Sequence, residues 1–427
     1  VPSTSTIGWT GVTGLPPDGG CTPGQVCNAG ACAGGCFIDG GYLLPGAADP
    51  AHTCRTCVPA TSVQVWVNGF TSWTGIGSAP EIVVVADING DSKPDLVMAN
   101  SEATPFLNEG NGKFAPDVPV PLSGAPNSGV VVPPVSGSFA TLYFSDGSNS
   151  ASYAKGATSP FTACTSGGST VPCALALGAA NADSTAVAAG DFDPSGKPGL
   201  AVADLASLSI DCFSSAALTT DAYTTFSLGI PTAQDLILAS GDFNGDNIDD
   251  LAVGYNAGQV ETVQLWLALP DGGGFTNVGN AFAGPGASGQ LAVADFNRDG
   301  NLDLALANGS SLIQVAFGDG TGQFAPPVNY LIGSGSTTLV AGDFNADGWP
   351  DLAVANATDK TIALLYNQGD GTFSEPLVVY TCPGTPNSLA ASDWVPPNAG
   401  SSYGSPTTVL GATDEAGTVL GLVNSCQ

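Results

Sequence analysis

A nine-residue acidic loop recurs along the chain, each time between two apolar runs, and no other feature limits the fold as much. Intact copies start at Asp87 (DINGDSKPD), Asp242 (DFNGDNIDD), Asp295 (DFNRDGNLD) and Asp343 (DFNADGWPD), and a damaged copy starts at Asp191 (DFDPSGKPG). Each follows a run such as LVAG or LAVA and precedes DLAVAN or a close variant. Successive starts lie 104, 51, 53 and 48 residues apart. The first step spans two units and so places a loop-less register near residue 137 (VVVPPVSGSFATLYFSDG). A further register falls at Asp393 (SLAASDWVPPNAG). Repeats of this length take precedence over any domain count drawn from the 427 residues.

Each unit reads as four strands. In the clearest one these are Leu339–Phe344, Asp351–Asn356, Thr361–Asn367 and Phe373–Tyr380, with QGDGTF supplying the Asp-Gly signal of a hairpin between the last two. Helical spacing is absent, and near-continuous apolar runs such as LAVA mark strands covered on both faces. The fold expected is all-β: a seven-bladed β-propeller of four-stranded blades over residues 61–427, preceded by a small disulfide-rich segment. The last unit lacks a fourth strand of its own. Gly69–Ile76, ahead of the first loop, can supply it and remove a pair of sheet edges. Ser62–Asn68 also reads as a strand, so the choice of closing segment stays open.

The loop composition points to a metal. A tight loop of this length turns the side chains of positions 1, 3, 5 and 9 toward one point, while position 7 offers its carbonyl. In the third intact copy these are Asp295, Asn297, Asp299 and Asp303, with Asn301 at position 7. The other copies supply Asp87, Asn89, Asp91 and Asp95 with Lys93; Asp242, Asn244, Asp246 and Asp250 with Ile248; and Asp343, Asn345, Asp347 and Asp351 with Trp349. All are hard oxygen donors, the set that calcium prefers and that zinc or copper does not. Like charges ~4 Å apart repel by about 4 kcal/mol at an effective dielectric of 20, so three carboxylates in one loop call for a cation. An EF-hand would need an acid at position 12 and flanking helices, whereas Leu306 or Val354 stands there between strands. About four calcium ions are expected. The copy with Asp191 and Asp193 is a fifth candidate, weakened by Gly199 at position 9.

Charge and cysteine usage bound the partners. Seven Lys and Arg stand against 37 Asp and Glu, giving a net charge of -30 that disfavours nucleic acid and anionic membranes. No apolar stretch approaches the roughly 20 residues of a membrane-spanning helix. The chain starts without Met or a signal peptide, as a mature secreted product or a trimmed chain would. Eleven cysteines suit an oxidising compartment. Cys21, Cys27, Cys32, Cys36, Cys54 and Cys57 crowd one segment, read as a disulfide module over residues 21–60 behind an arm of residues 1–20. Cys54 and Cys57 have the CxxC spacing of zinc sites, but the others supply no second pair.

The loops and their DLAVAN continuation resemble the FG-GAP (VCBS-type) repeat, the calcium-loop blade of integrin α-subunit propellers and of many secreted bacterial proteins. That resemblance implies side-chain ligands at positions 1, 3, 5 and 9, and roles in adhesion or ligand recognition, sometimes as a lectin. Residues 36–66 resemble a Cys-rich module of bacterial extracellular proteins, the myxobacterial ones among them. A catalytic role finds little footing, since His52 is the only histidine and the GxSxG match at residues 400–404 lacks a strand-to-helix context. The leading expectation is a secreted, non-enzymatic binding or adhesion module for an extracellular protein or glycan, with Trp349 and Trp394 as candidate stacking residues. The alternative is a structural subunit of an extracellular assembly, joined through the arm at Val1–Val12. A carbohydrate-active enzyme ranks below both.

Overall fold

The structure, a computed structural model, describes residues 81–391 with gaps at 92, 111–112, 123, 133–140, 146–149, 156–163, 167–168, 172, 177–183, 214–223, 259, 273, 286–288 and 346. It also describes residues 409–415 and 419–423, and a few short strands ahead of residue 81. Every one of these elements is β. Among the described residues five blades are complete and built from strands consecutive in the chain. They are blade A (residues 82–121), blade B (184–227), blade C (236–285), blade D (290–331) and blade E (336–381).

Within a blade the chain runs antiparallel from the ring axis outward, and burial falls along the same path. In blade E the second strand, Asp351–Asn356, is buried at every residue, whereas the outermost strand, Leu377–Thr381, alternates between half-buried and exposed. Gly199–Asp204 in blade B and Thr224–Ser227 show the same contrast. This explains why the second strands are unbroken apolar runs: a neighbouring blade covers each face. Phe296, Ile313 and Val315 of blade D pack with Leu339, Leu352 and Val354 of blade E, and blades B with C and C with D share cores of the same kind. The first strands touch in turn from Ile82–Ala86 through Ser128–Val132 and Ser184–Gly190 onward to Pro386–Ala391, which packs back against Ile82–Ala86. The fold is an all-β propeller.

The expected count of seven like blades needs correcting to five. The register near residue 137 yields a composite sheet of Ser128–Val132, Thr141–Ser145, Ser150–Lys155 and Cys173–Ala176, with a separate hairpin, Cys164–Ser166 and Ser169–Val171, set before its fourth strand. The register at Asp393 yields Pro386–Ala391, Val409–Asp414 and Val419–Val423, completed by Thr71–Trp73 from the other end of the chain. Blade A also departs from four strands, because Lys113–Pro116 and Val120–Pro121 both pair with Glu102–Gly110. A sequence period counts registers, but not whether each one finishes its own sheet. The segment Thr71–Trp73 lies inside the stretch expected to close the ring, while Ser62–Asn68 falls outside the described residues.

The disulfide-rich N-terminal segment also needs correcting. No disulfide is formed among the described residues, and the arm, most of the Cys-rich stretch, His52 and Trp394 lie outside them. Cys212 and Cys382 are free thiols whose burial pushes their pKa up, Cys382 to about 12, so both behave as apolar filler and not as nucleophiles.

One glycine shows how closely the outer hairpins seat. A Cβ on Gly318 would come to 2.2 Å from the backbone oxygen of Leu302, which has no flexible end to move aside. Gly318→Ala is expected to cost about 1–3 kcal/mol, read as a lower denaturant midpoint at unchanged slope.

Candidate metal centres

Each acidic loop joins the first strand of a blade to the second, so all of them gather at one end of the ring. Position 2 carries the anchor: Phe243, Phe296 and Phe344, or Ile88 in blade A, sink into the inter-blade cores. Phe296 meets the hairpin residue Phe373 edge-on at 5.4 Å, and Phe243 meets Phe324 at 5.8 Å. The sharp turn needs left-handed backbone at position 6, which Gly300 (φ 91°), Gly348 (φ 86°) and Asn247 (φ 65°) provide.

The first carboxylate organises the loop. In blade C, Asp242 Oδ1 accepts the N–H of Gly245 (2.6 Å) and of Asp246 (3.2 Å), and Oδ2 accepts that of Asn247 (2.8 Å). Asp295 and Asp343 receive the same pattern from Asp299 and Gly300 and from Asp347 and Gly348. Positions 3 and 5 lie side by side: Asn244, Asn297 and Asn345 each donate Nδ2 to the carboxylate two residues on, at 3.1, 3.0 and 2.9 Å. Position 7 donates its N–H to the position 5 carboxylate, from Lys93, Ile248, Asn301 and Trp349.

Position 9 has a role the sequence pattern did not disclose. Asp95, Asp250, Asp303 and Asp351 are fully buried. In each, Oδ2 accepts the N–H of position 2 and Oδ1 accepts an N–H from the outer end of the third strand. Those second donors are Asn108, Ala268, Gly318 and Asn367, at 2.7, 2.8, 2.9 and 2.8 Å. The carboxylate is a strut that ties loop to hairpin whether or not an ion is bound. Burial first, then the loop's other carboxylates, raise these acids to about 6 for Asp95, about 7 for Asp250 and Asp303, and about 8 for Asp351.

Among the described residues no three His, Cys, Asp or Glu side chains converge on one point as they stand, because the loop carboxylates face backbone amides. The donor chemistry nevertheless fits a hard divalent cation. Positions 1, 3, 5 and 9 of the intact loops are all carboxylates or amides, and a carboxylate offers about four lone pairs, of which the backbone takes only some. Positions 1, 3, 5 and 9 would hold the ion. Blade A shows a cation in that field already: Lys93 Nζ sits 2.9 Å from Asp91 Oδ2, with Asp95 and Asp87 also raising its pKa behind the dominant Asp91 contact. A half-exposed ammonium beside the ligands competes with an incoming ion. Lys93→Ala is therefore expected to tighten calcium binding at the first loop about two- to fivefold, as followed by titration calorimetry against the unchanged chain.

Two further residues escaped the sequence pattern. Asn367 donates Nδ2 to the carbonyls of Phe296 (2.8 Å) and Pro350 (3.0 Å), tying the hairpin of blade E to the loops of both D and E. Its signal was the NQGDGTF motif, echoed by NEGNGKF at Asn108, whose Nδ2 likewise holds Pro94. Asp249 braces the damaged loop at its first residue, one position before the amide that a strut accepts. Where Gly199 removes the strut, Asp249 of the next blade accepts the Asp191 N–H at 2.8 Å, and its own N–H returns to the Asp191 carbonyl at 2.7 Å. Trp349, considered as a stacking platform, has Arg298 of the neighbouring loop over its ring at 4.3 Å, so that face is occupied.

Residues 242–306, 295–354 and 343–395 match the FG-GAP-like repeat, and residues 79–114 match the FG-GAP repeat. The chain thus carries FG-GAP repeats arranged in a β-propeller. No curated protein matches it. Solved structures share the fold at low identity. BBS1N, crystallised in complex with ARL6DN, is 12% identical, with 84% of this chain and 97% of that chain covered at a TM-score of 0.55. The WD40 β-propeller domain of Doa1 is 14% identical over 83% and 96% of the two chains, at a TM-score of 0.52. Among the described residues no helix is long and apolar enough to cross a membrane.

Proposed function

We propose that this chain is a non-enzymatic binding or adhesion module of the extracellular space, a propeller braced by calcium at its acidic loops, with an extracellular protein or glycan as partner. What supports this reading most is the axial cavity at the end of the ring away from the loops. It measures about 200 Å³ and is bordered by the starts of the first strands, among them Asn127, Thr185, Gln290, Thr338 and Ser388. The polar part of the lining is amide and hydroxyl, set among aliphatic side chains such as Ile82 and Leu236 and with no charged group, which suits recognition of a neutral polar group and offers no general acid or base. Thr185 Oγ1 and Gln290 Oε1 are buried there without a hydrogen-bond partner, so a ligand hydroxyl or amide meets groups already desolvated. The volume falls below the roughly 300–1,000 Å³ of drug-sized sites, enough for one sugar ring or one side chain. BBS1N in complex with ARL6DN shows a propeller of this fold holding a second macromolecule, which agrees with the reading.

The test is a glycan array and a panel of extracellular proteins, both screened in calcium, followed by Thr185→Val and Gln290→Ala on any hit. Losing a buried hydrogen bond to the ligand predicts weakening of roughly tenfold for each variant. Two empty screens, or a hit indifferent to both substitutions, would sink the reading.

A further inference from the structure

The acidic loops do not account for every buried carboxylate. Glu261 opens the third strand of blade C, at the end of the ring opposite the loops, and is 1% exposed. Both of its oxygens are buried with no backbone or hydroxyl donor, and the side-chain amide of Asn256 is the one group that favours its charged form. Its cross-strand neighbour is Asn256, the last residue of the second strand, and the carbonyl of Asn256 accepts the N–H of Gln234, which places Asp235 beside the same corner. Glu261 Oε1 also lies against the bare backbone of Gly254, 3.4 Å from where a Cβ would stand. Two carboxylates and the side-chain amide of Asn256 therefore meet at one corner, and no lysine or arginine is among the groups acting on Glu261.

Other blades satisfy the same corner with hydroxyl, amide or backbone donors. In blade E, Asn356 closes the second strand and gives its Nδ2 to Thr361 Oγ1 at 3.2 Å. In blade D, Ser310 gives its hydroxyl to Asn308 at 2.6 Å. In blade B, Ser207 and Ser209 line up beside Asp204. Glu102, near this corner in blade A, is exposed. Blade B buries an acid here too, Asp204, but gives it the Ala206 N–H and the Ser207 hydroxyl, whereas Glu261 of blade C has no such donors, on a second strand of 7 residues where blade E has 6. An ionised carboxylate deprived of water and of hydrogen bonds is costly unless a cation pairs with it.

We propose that Glu261, with Asp235 and Asn256, forms a separate binding site for a hard divalent cation of the calcium class, distinct from the acidic loops. Two carboxylates match the ion's charge, and three oxygen ligands leave room for backbone carbonyls or water to complete its shell. The site sits at the end of the ring that carries the axial cavity, so it would brace the recognition end as the loops brace the other.

The test uses the full chain and calcium itself. Native mass spectrometry in calcium should count one ion fewer in Glu261→Gln than in the unchanged chain. The isosteric amide removes the charge while filling the same space, so chelated Glu261→Gln should melt no lower than the chelated parent. Its rise in melting temperature on adding calcium should be smaller than the parent's. Asp235→Asn, at a half-buried position, should lose the same ion and serves if the first variant does not fold. An unchanged ion count in both variants overturns the proposal and leaves Glu261 as a protonated core acid. Asp299→Ala separates this from the loop reading: it should remove a loop ion and leave the Glu261 ion in place. A parent chain without calcium overturns both readings, and a parent that loses ions only on loop substitution overturns this one alone.

Discussion

Removing calcium with a chelator is expected to lower the melting temperature by about 8 °C. With a dissociation constant of ~10⁻⁴ M and free calcium at ~1 mM, linkage gives each loop roughly 1.4 kcal/mol. Four intact loops then contribute about 6 kcal/mol, within the range of a whole domain's stability, roughly 5–15 kcal/mol. An unfolding entropy of about 2.1 cal/mol/K per residue, taken over a propeller of roughly 350 residues, converts that figure to the shift quoted. Differential scanning calorimetry with and without chelator reads it directly. The loops stay shaped without the ion because their first carboxylates hold two or more backbone amides apiece, as Asp242, Asp295 and Asp343 do. The chelated protein should therefore keep its far-ultraviolet signature below the transition and simply melt sooner. A melting temperature indifferent to both chelator and calcium would remove the metal from the account.

The second large effect separates the strut from the ligand. Asp351→Ala deletes the acceptor for two buried amides, those of Phe344 and Asn367. Each orphaned donor costs about 1–3 kcal/mol, partly offset by the relieved burial of the carboxylate, so a net loss of about 3 kcal/mol is expected. It should appear in chelator and in calcium alike. Asp347→Ala, at an exposed position of the same loop, should cost about 1.4 kcal/mol in calcium and next to nothing in chelator. Urea titrations of both variants under both conditions provide the comparison. Equal calcium dependence in the two would mean that position 9 is a ligand first and a strut second.

Much of the molecule could be read before any coordinates. The loop, its flanking strands and the turn at QGDGTF depend on contacts only a few residues apart, and the structure has Asp351–Asn356 and Thr361–Leu365 where the pattern put strands. The donor types of the candidate site are likewise written in the residues themselves. Other features depend on partners the linear pattern does not pair. Asp249 serves the loop at Asp191, 58 positions earlier, and nothing near either residue announces it. The hairpin glycine at 318 and the backbone amide of Asn367 reach the struts from beyond the neighbouring third strand, 15 and 16 positions on.

The chain's own order therefore determined the repeating strand–loop–strand unit and the oxygen chemistry it displays, because spacing and residue type are local quantities. Tertiary structure alone decided that five blades are complete, that Thr71–Trp73 finishes the sheet at the other end of the chain, and that Glu261 is enclosed with an unsatisfied carboxylate. Those outcomes depend on which surfaces meet when the ring closes, and burial of that kind is a property of neighbours that the sequence separates by tens to hundreds of residues.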